Sequence, residues 1–337
     1  MDTTFIWLII FVLSLAALVK GADWLLRSSE KIGLAIGLSP FVIGVLVVSL
    51  GTSFPELVAA FFASFRGVAE FAPANAVGSN VANILLVVGV TALLSKKIRI
   101  TRELIDVELP LLAIGTVIFL GVAWNGQIIF WEAALMVLVY VIYLFYIFIY
   151  QDGSSDTDSD HDSEEGRLVP SRFKQRGYED ENGKTLPQVS LTDLASFFLG
   201  ALFLVLGSHY LVDSVQILGD EFRLLDVGGI TIIGVAIGTS LPELLVSVKA
   251  AVNHNSEMAL GNIFGSNAFN MLMVVGLPGL FFGAELDTTT LEVGLPALAA
   301  VTLLFVITGI SQRIHMWEGA FFLMLYILFI SMLLGVS

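Results

Sequence analysis

The chain contains no cysteine, which excludes disulfides, iron–sulfur clusters and thiolate metal sites. Charge is scarce as well: Asp, Glu, Lys and Arg make up 14% of residues, against about 25% in an ordinary soluble domain. Basic residues are outnumbered 16 to 30, which argues against nucleic acid as a partner. No H-E-x-x-H pair is present, and His161, His209, His254 and His315 are scattered without ligand spacing, so zinc is not expected. With no cysteine nucleophile and no paired membrane aspartates either, an enzyme is not expected, nor is any cofactor. A cleavable leader is not expected. Asp2 and no Lys or Arg precede the first apolar run, and Lys20 follows it, so residues 5–20 read as a retained span.

What fills the chain is hydrocarbon. Hydrophobic residues make up 56%, and apolar stretches of roughly 20 residues, one bilayer crossing each, recur from Phe5 to Val336. The expected fold is an all-α polytopic membrane protein of about ten helices. Its spans fall near 4–20, 34–65, 71–95, 107–124, 128–150, 191–215, 225–252, 257–283, 291–310 and 315–336. With the N-terminus outside, fourteen of the sixteen Lys and Arg fall on one side and only Arg66 and Arg223 on the other. The positive-inside rule then predicts a multi-pass plasma (inner) membrane protein with both termini outside and the central loop cytoplasmic. Trp7, Trp24, Trp124, Trp131 and Trp317 fall near expected span ends, as an interfacial belt would.

Residues 151–189 break the pattern. Asp156, Asp158, Asp160 and Asp162 alternate with Ser, Thr and His. A calcium-binding EF-hand loop starting at Asp156 would need Gly where His161 stands and Glu where Arg167 stands, so the segment reads as a solvated acidic linker. It divides the chain into 1–150 and 190–337, each with five expected spans. Two related halves with an odd number of spans enter the membrane in opposite directions, which makes an inverted repeat.

The halves are indeed related. Gly51-Thr52-Ser53-Phe54-Pro55-Glu56 is answered by Gly238-Thr239-Ser240-Leu241-Pro242-Glu243, and Asn75-Ala76-Val77-Gly78-Ser79-Asn80 by Asn262-Ile263-Phe264-Gly265-Ser266-Asn267. Both pairs share one offset (238 − 51 = 265 − 78 = 187). Upstream, Gly21-Ala22-Asp23-Trp24 resembles Gly207-Ser208-His209-Tyr210. A carboxylate inside a hydrophobic span is costly and marks ion handling. Proline gives no N–H to the carbonyl four residues back, so Pro55 frees carbonyls around Ser49 to Thr52, and these must face protein, water or a cation. Thr52 and Glu56 share a helix face. Asn75, Ser79 and Asn83 form a polar stripe at four-residue spacing, repeated by Asn262, Ser266 and Asn270. Gly78 and Gly265 suit close helix approach. Such a cluster of hard oxygen donors suits calcium, which takes six to eight oxygens, better than magnesium.

Two copies of G-T-S-x-P-E, each followed by x-N-x-x-G-S-N, resemble the alpha repeats of the sodium/calcium exchangers in the cation/calcium antiporter superfamily, in a compact prokaryotic form. The resemblance covers both halves and implies ten helices, with alternating access by sliding of the first and sixth helices over a fixed core. It implies several sodium ions exchanged for one calcium. Glu56 and Glu243 would be the central ligands, with the carbonyls of Thr52 and Thr239 completing the calcium site. Ser53, Ser79, Ser240 and Ser266, with the carbonyls of Ser49 and Ala236, would line sodium sites, and Asn83 and Asn270 would sit beside the glutamates. The transported ions would be Ca2+ and Na+, and the lipid bilayer the other partner. Two positions depart from the family pattern: Ala74 replaces a usual Gly, and Asn270 stands where several relatives carry Asp. The rival readings are a proton-coupled exchanger of the same architecture, whose members typically show G-N-x-x-E instead, and a cation channel.

Overall fold

The protein is described here from a computed structural model, over residues 3–95, 97–99, 108–153, 188–221 and 240–333. The first half contains α1 (Thr3–Ala35), α2 (Pro40–Phe65), α3 (Phe71–Ser95), β1 (Lys97–Arg99), α4 (Leu109–Ala123), β2 (Gln127–Ile128) and α5 (Phe130–Gly153). The second contains α6 (Leu191–Glu221), α7 (described over Leu241–Val252), α8 (Ser256–Phe282), β3 (Ala284–Glu285), α9 (Thr290–Ile310), β4 (Arg313–His315) and α10 (Met316–Leu333). Eight of these helices are long and apolar enough to cross a membrane; α4 and the described part of α7 are shorter. The acidic run Asp156–Asp162, together with Ala236 and Thr239, lies outside the described residues.

Two short ribbons fix the topology. β1 pairs antiparallel with β4, and β2 with β3. Among the described elements, one helix (α4) separates β1 from β2, four (α5 to α8) separate β2 from β3, and one (α9) separates β3 from β4. Each ribbon must lie on one side of the bilayer, and this parity holds when every helix crosses. The α2–α3 turn joins the β2–β3 side, because Glu285 N–H donates to Ala69 O (3.3 Å) and Leu286 N–H donates to Gly126 O (2.9 Å). Each ribbon takes one strand from each half, as an inverted repeat requires. With ten crossings the two termini share a side.

The helices fall into two groups by what they bury. α2, α3 and α8 are the most enclosed spans, whereas α1 and α6 show most of their surface outward. One large apolar cluster joins α2, α3, α4, α5, α8, α9 and α10 and includes no residue of α1 or α6. A second, smaller cluster joins Leu18, Ala22 and Leu25 of α1 and Leu204 of α6 to Ile43, Val246, Ala250 and Met258. Helices α1 and α6 pack against each other antiparallel along a small-residue seam: a Cβ on Gly21 would lie 2.8 Å from Gly200 O, and one on Gly207 would lie 3.0 Å from Ser14 O. Lys31 and Asp193 staple the pair at one end, Nζ to Oδ2 2.6 Å.

Three expectations are sharpened. The first helix does not stop near Lys20 but runs to Ala35. Lys20 and Asp23 do not end it because both find partners: Lys20 Nζ lies 5.8 Å over the Trp24 ring, and Asp23 pairs with Lys249. Trp24 thus lies within the helix rather than at its end, and it packs on Phe203 of α6, ring centroids 5.2 Å apart. Trp124, Trp131 and Trp317 are exposed at helix ends as expected. Finally, the broken helices expected at the ion site take the form, among the described residues, of π-helical turns. They span Ile43–Val48, Asn83–Val87 and Asn270–Val274, the last two at the repeat offset of 187, while helix continues through Pro55. Single π turns inside α-helices cluster at functional sites.

The close approach expected of Gly265 is present. Its Cβ would lie 2.4 Å from Val45 O and 2.5 Å from Ser49 Oγ, so only glycine lets α8 reach the α2 backbone. Gly78 meets nothing within 4 Å among the described residues. Gly265→Ala should therefore cost about 1–3 kcal/mol, seen as a lower melting temperature of the purified protein, and Gly78→Ala should cost less.

Candidate ion-binding site

The polar motifs meet where α2, α3, α7 and α8 cross in the middle of the protein. Ser49, Thr52, Ser53, Glu56, Ser79, Asn83, Ser240, Glu243, Ser266 and Asn270 are all buried, so every described residue of the expected site is enclosed. The two halves interlock directly. Ser53 Oγ donates to Glu243 Oε1 (2.8 Å) and lies 2.9 Å from Ser266 Oγ. Thr52 Oγ1 lies 3.2 Å from Ser49 O and 3.3 Å from Asn262 Oδ1. Ser49 Oγ turns back to Val45 O, one of the carbonyls in the π turn. Glu56 and Glu243 come from opposite halves, and Ser53, one helical turn before Glu56, is the residue that holds Glu243. No basic side chain answers them: the ion pairs among the described residues are Lys31–Asp193, His209–Asp213 and Lys249–Asp23.

Several polar atoms here have no partner among the described residues, and they recur in symmetry-related pairs. Oε2 of Glu56 and of Glu243 is unpartnered, as are both amide atoms of Asn83 and of Asn270. Each unmet buried polar group costs about 1–3 kcal/mol, more when charged. A native core tolerates few such groups, and their gathering at one point marks a place where something else supplies the partner. Two carboxylates, two amide oxygens and neighbouring hydroxyls and carbonyls form an all-oxygen donor set, as hard cations require.

Two residues escaped the sequence reading. Asn80 and Asn267 are fully buried, and each side-chain NH2 donates back to a carbonyl of its own helix, Ala76 O (2.6 Å) and Ile263 O (2.9 Å). This leaves each Oδ1 pinned and unpartnered. Their place in both G-S-N motifs was the available signal. Asn262, by contrast, is a bracket: its Nδ2 donates to Ser247 Oγ (2.9 Å) and Glu243 O (3.4 Å) while its Oδ1 faces Thr52. The polar stripe thus splits into structural and open positions, and Asn75 is only half-buried.

Inverted halves that bring together two buried carboxylates, on helices packed against the π turns of Asn83 and Asn270, define a membrane transporter with a central cation site. Comparison with known proteins agrees. Residues 6–149 and 192–335 match the family described as "Sodium/calcium exchanger protein". The chain is 32% identical to sodium/calcium exchanger MaX1 of Methanosarcina acetivorans, over 96% of this chain and 97% of that one. It is 33% identical to the putative antiporter CaxA of Alkalimonas amylolytica, over 94% and 96%. Among solved structures it resembles the sodium-calcium exchanger NCX_Mj, with a TM-score of 0.74 at 27% identity, over 96% of this chain and 98% of that one. The chain belongs to the sodium/calcium exchanger family. It is a secondary antiporter that exchanges sodium for calcium by alternating access, and its family is one of transporters, not enzymes.

Proposed function

We propose that Glu56 and Glu243 are the shared ligands over which calcium and sodium compete, with the Oδ1 atoms of Asn83 and Asn270 beside them. The carbonyls of Thr52 and Thr239 complete the calcium site. Ser53, Ser79, Ser240 and Ser266, with the carbonyls of Ser49 and Ala236, line flanking sodium positions. The observation that carries this reading is a pair of enclosed carboxylates, one from each half, with no basic partner among the described residues. Desolvating two like charges together costs several kcal/mol, and cations returned to that point offset it. Calcium matches the double charge; sodium ions entering the same oxygens displace it. Ser53 holds Glu243 in place from the other half, so ligands from both repeats act as one set.

The excess of Lys and Arg on the side of the central linker supports a plasma-membrane orientation with that linker cytoplasmic and the termini outside. Residues 1–150 and 190–337 are the two repeats, joined by the acidic segment 151–189. The G-T-S-x-P-E form of both motifs, rather than G-N-x-x-E, supports sodium over proton coupling. Competition binding tests the shared site. Labelled calcium bound to purified protein should be displaced by sodium with a Hill coefficient above one. Binding that sodium leaves unchanged would separate the two ions and refute a shared site.

A further inference from the structure

The repeat offset lets each contact between α1–α6 and the central helices be compared with its symmetry mate, and the two sides differ. On α7, Leu241 and Leu245 pack against the cluster shared with α1, and Val246 is fully enclosed by it. Their counterparts on α2 lie 187 positions earlier: Phe54 is 57% exposed, Val58 is 38% exposed and Ala59 is exposed. The α1–α6 pair therefore covers the flank of α7 and leaves the matching flank of α2 open. The cover is unequal on the two flanks, although Glu56 and Glu243 are both buried.

A charged clamp stands on the closed flank only. Lys249, in the last turn of α7, places Nζ 2.6 Å from Asp23 Oδ1 and 2.7 Å from Val19 O, both on α1. Its counterpart on α2 is Phe62, 58% exposed, and the counterpart of Asp23 on α6 is His209 or Tyr210, according to the alignment used. No such clamp can form on the other flank. We propose that Lys249 with Asp23 is a conformational latch that favours the state closed on the α7 flank over its symmetry-related opposite. In an inverted repeat the two access states are near mirror exchanges of one another, so symmetric contacts cancel between them and only unmatched ones set the balance. Lys31–Asp193 makes the contrast: it joins α1 to α6 inside the pair that moves together, so both states keep it. The inference rests on alternating access between these two helices and the central four.

The absence of native cysteine makes the test direct, since one introduced thiol is the sole label site. Val58→Cys and Leu245→Cys report the open and closed flanks in the full-length protein in proteoliposomes. A membrane-impermeant maleimide should modify Val58→Cys faster than Leu245→Cys. Adding Lys249→Met or Asp23→Asn should raise the Leu245→Cys rate and lower the Val58→Cys rate, each by about two- to five-fold, the range of a solvent-accessible ion pair. Lys249→Arg should keep the original ratio, and so should Lys31→Met. An unchanged ratio in Lys249→Met, or an equal shift in Lys31→Met, overturns the latch. Sodium-driven calcium flux read in the same vesicles reports on alternating access separately, and the side from which each thiol reacts reports on orientation.

Discussion

Glu56→Gln and Glu243→Gln should each reduce sodium-driven calcium uptake by about a hundred-fold or more, while the protein stays folded in the membrane. Removing one partner from a buried charged set typically costs 3–5 kcal/mol, and here the partner lost is the cation. Stability moves the other way. A glutamine matches glutamate in shape but carries no charge to desolvate. Melting temperatures in ion-free buffer should therefore be unchanged or higher. Loss of transport with preserved folding separates a ligand from a structural residue; near-normal transport by either variant would remove that glutamate from the site and refute a shared pair.

Asn270→Asp should tighten apparent calcium affinity by on the order of ten-fold, since each added ligand charge strengthens a calcium site. The asparagine lies at the first residue of a π turn, fully enclosed, with neither amide atom satisfied among the described residues. A carboxylate there would raise the formal charge of the site from −2 to −3. Sodium, carrying half the charge, gains less, so the ratio of calcium to sodium affinity should rise. Asn83→Asp, at the matching position of the first half, should act in the same direction. Equal affinity for calcium in Asn270→Asp and the parent protein would show that position 270 does not face the transported ion.

Much of this architecture was legible in the residues because the bilayer makes composition speak plainly. Span count followed from apolar length, and the inverted repeat from motifs at one offset. The buried state of Glu56, Ser53, Asn83 and their partners followed from polar residues that no soluble core would need. What stayed hidden depended on pairing across distant segments. Lys20 reads as a charge that ends the first span; Lys20 and Asp23 lie within α1 because Trp24 and Lys249 accommodate them. The unequal cover of α2 and α7 was equally invisible, since Phe54 and Leu241 are both apolar occupants of the same motif position, yet only Leu241 packs beneath α1. Asn80 and Asn267 were passed over although both sit in the repeated motif, because a side chain tied to its own helix gives no periodic signal.

The central claim is that one pair of buried carboxylates couples sodium to calcium. Uptake of labelled calcium into proteoliposomes, driven first by an outward sodium gradient and then by a pH gradient without sodium, tests it most directly. The sodium gradient should drive calcium above equilibrium and the pH gradient should not. Accumulation driven by the pH gradient alone, or calcium flux that persists without any counter-ion gradient, would contradict it.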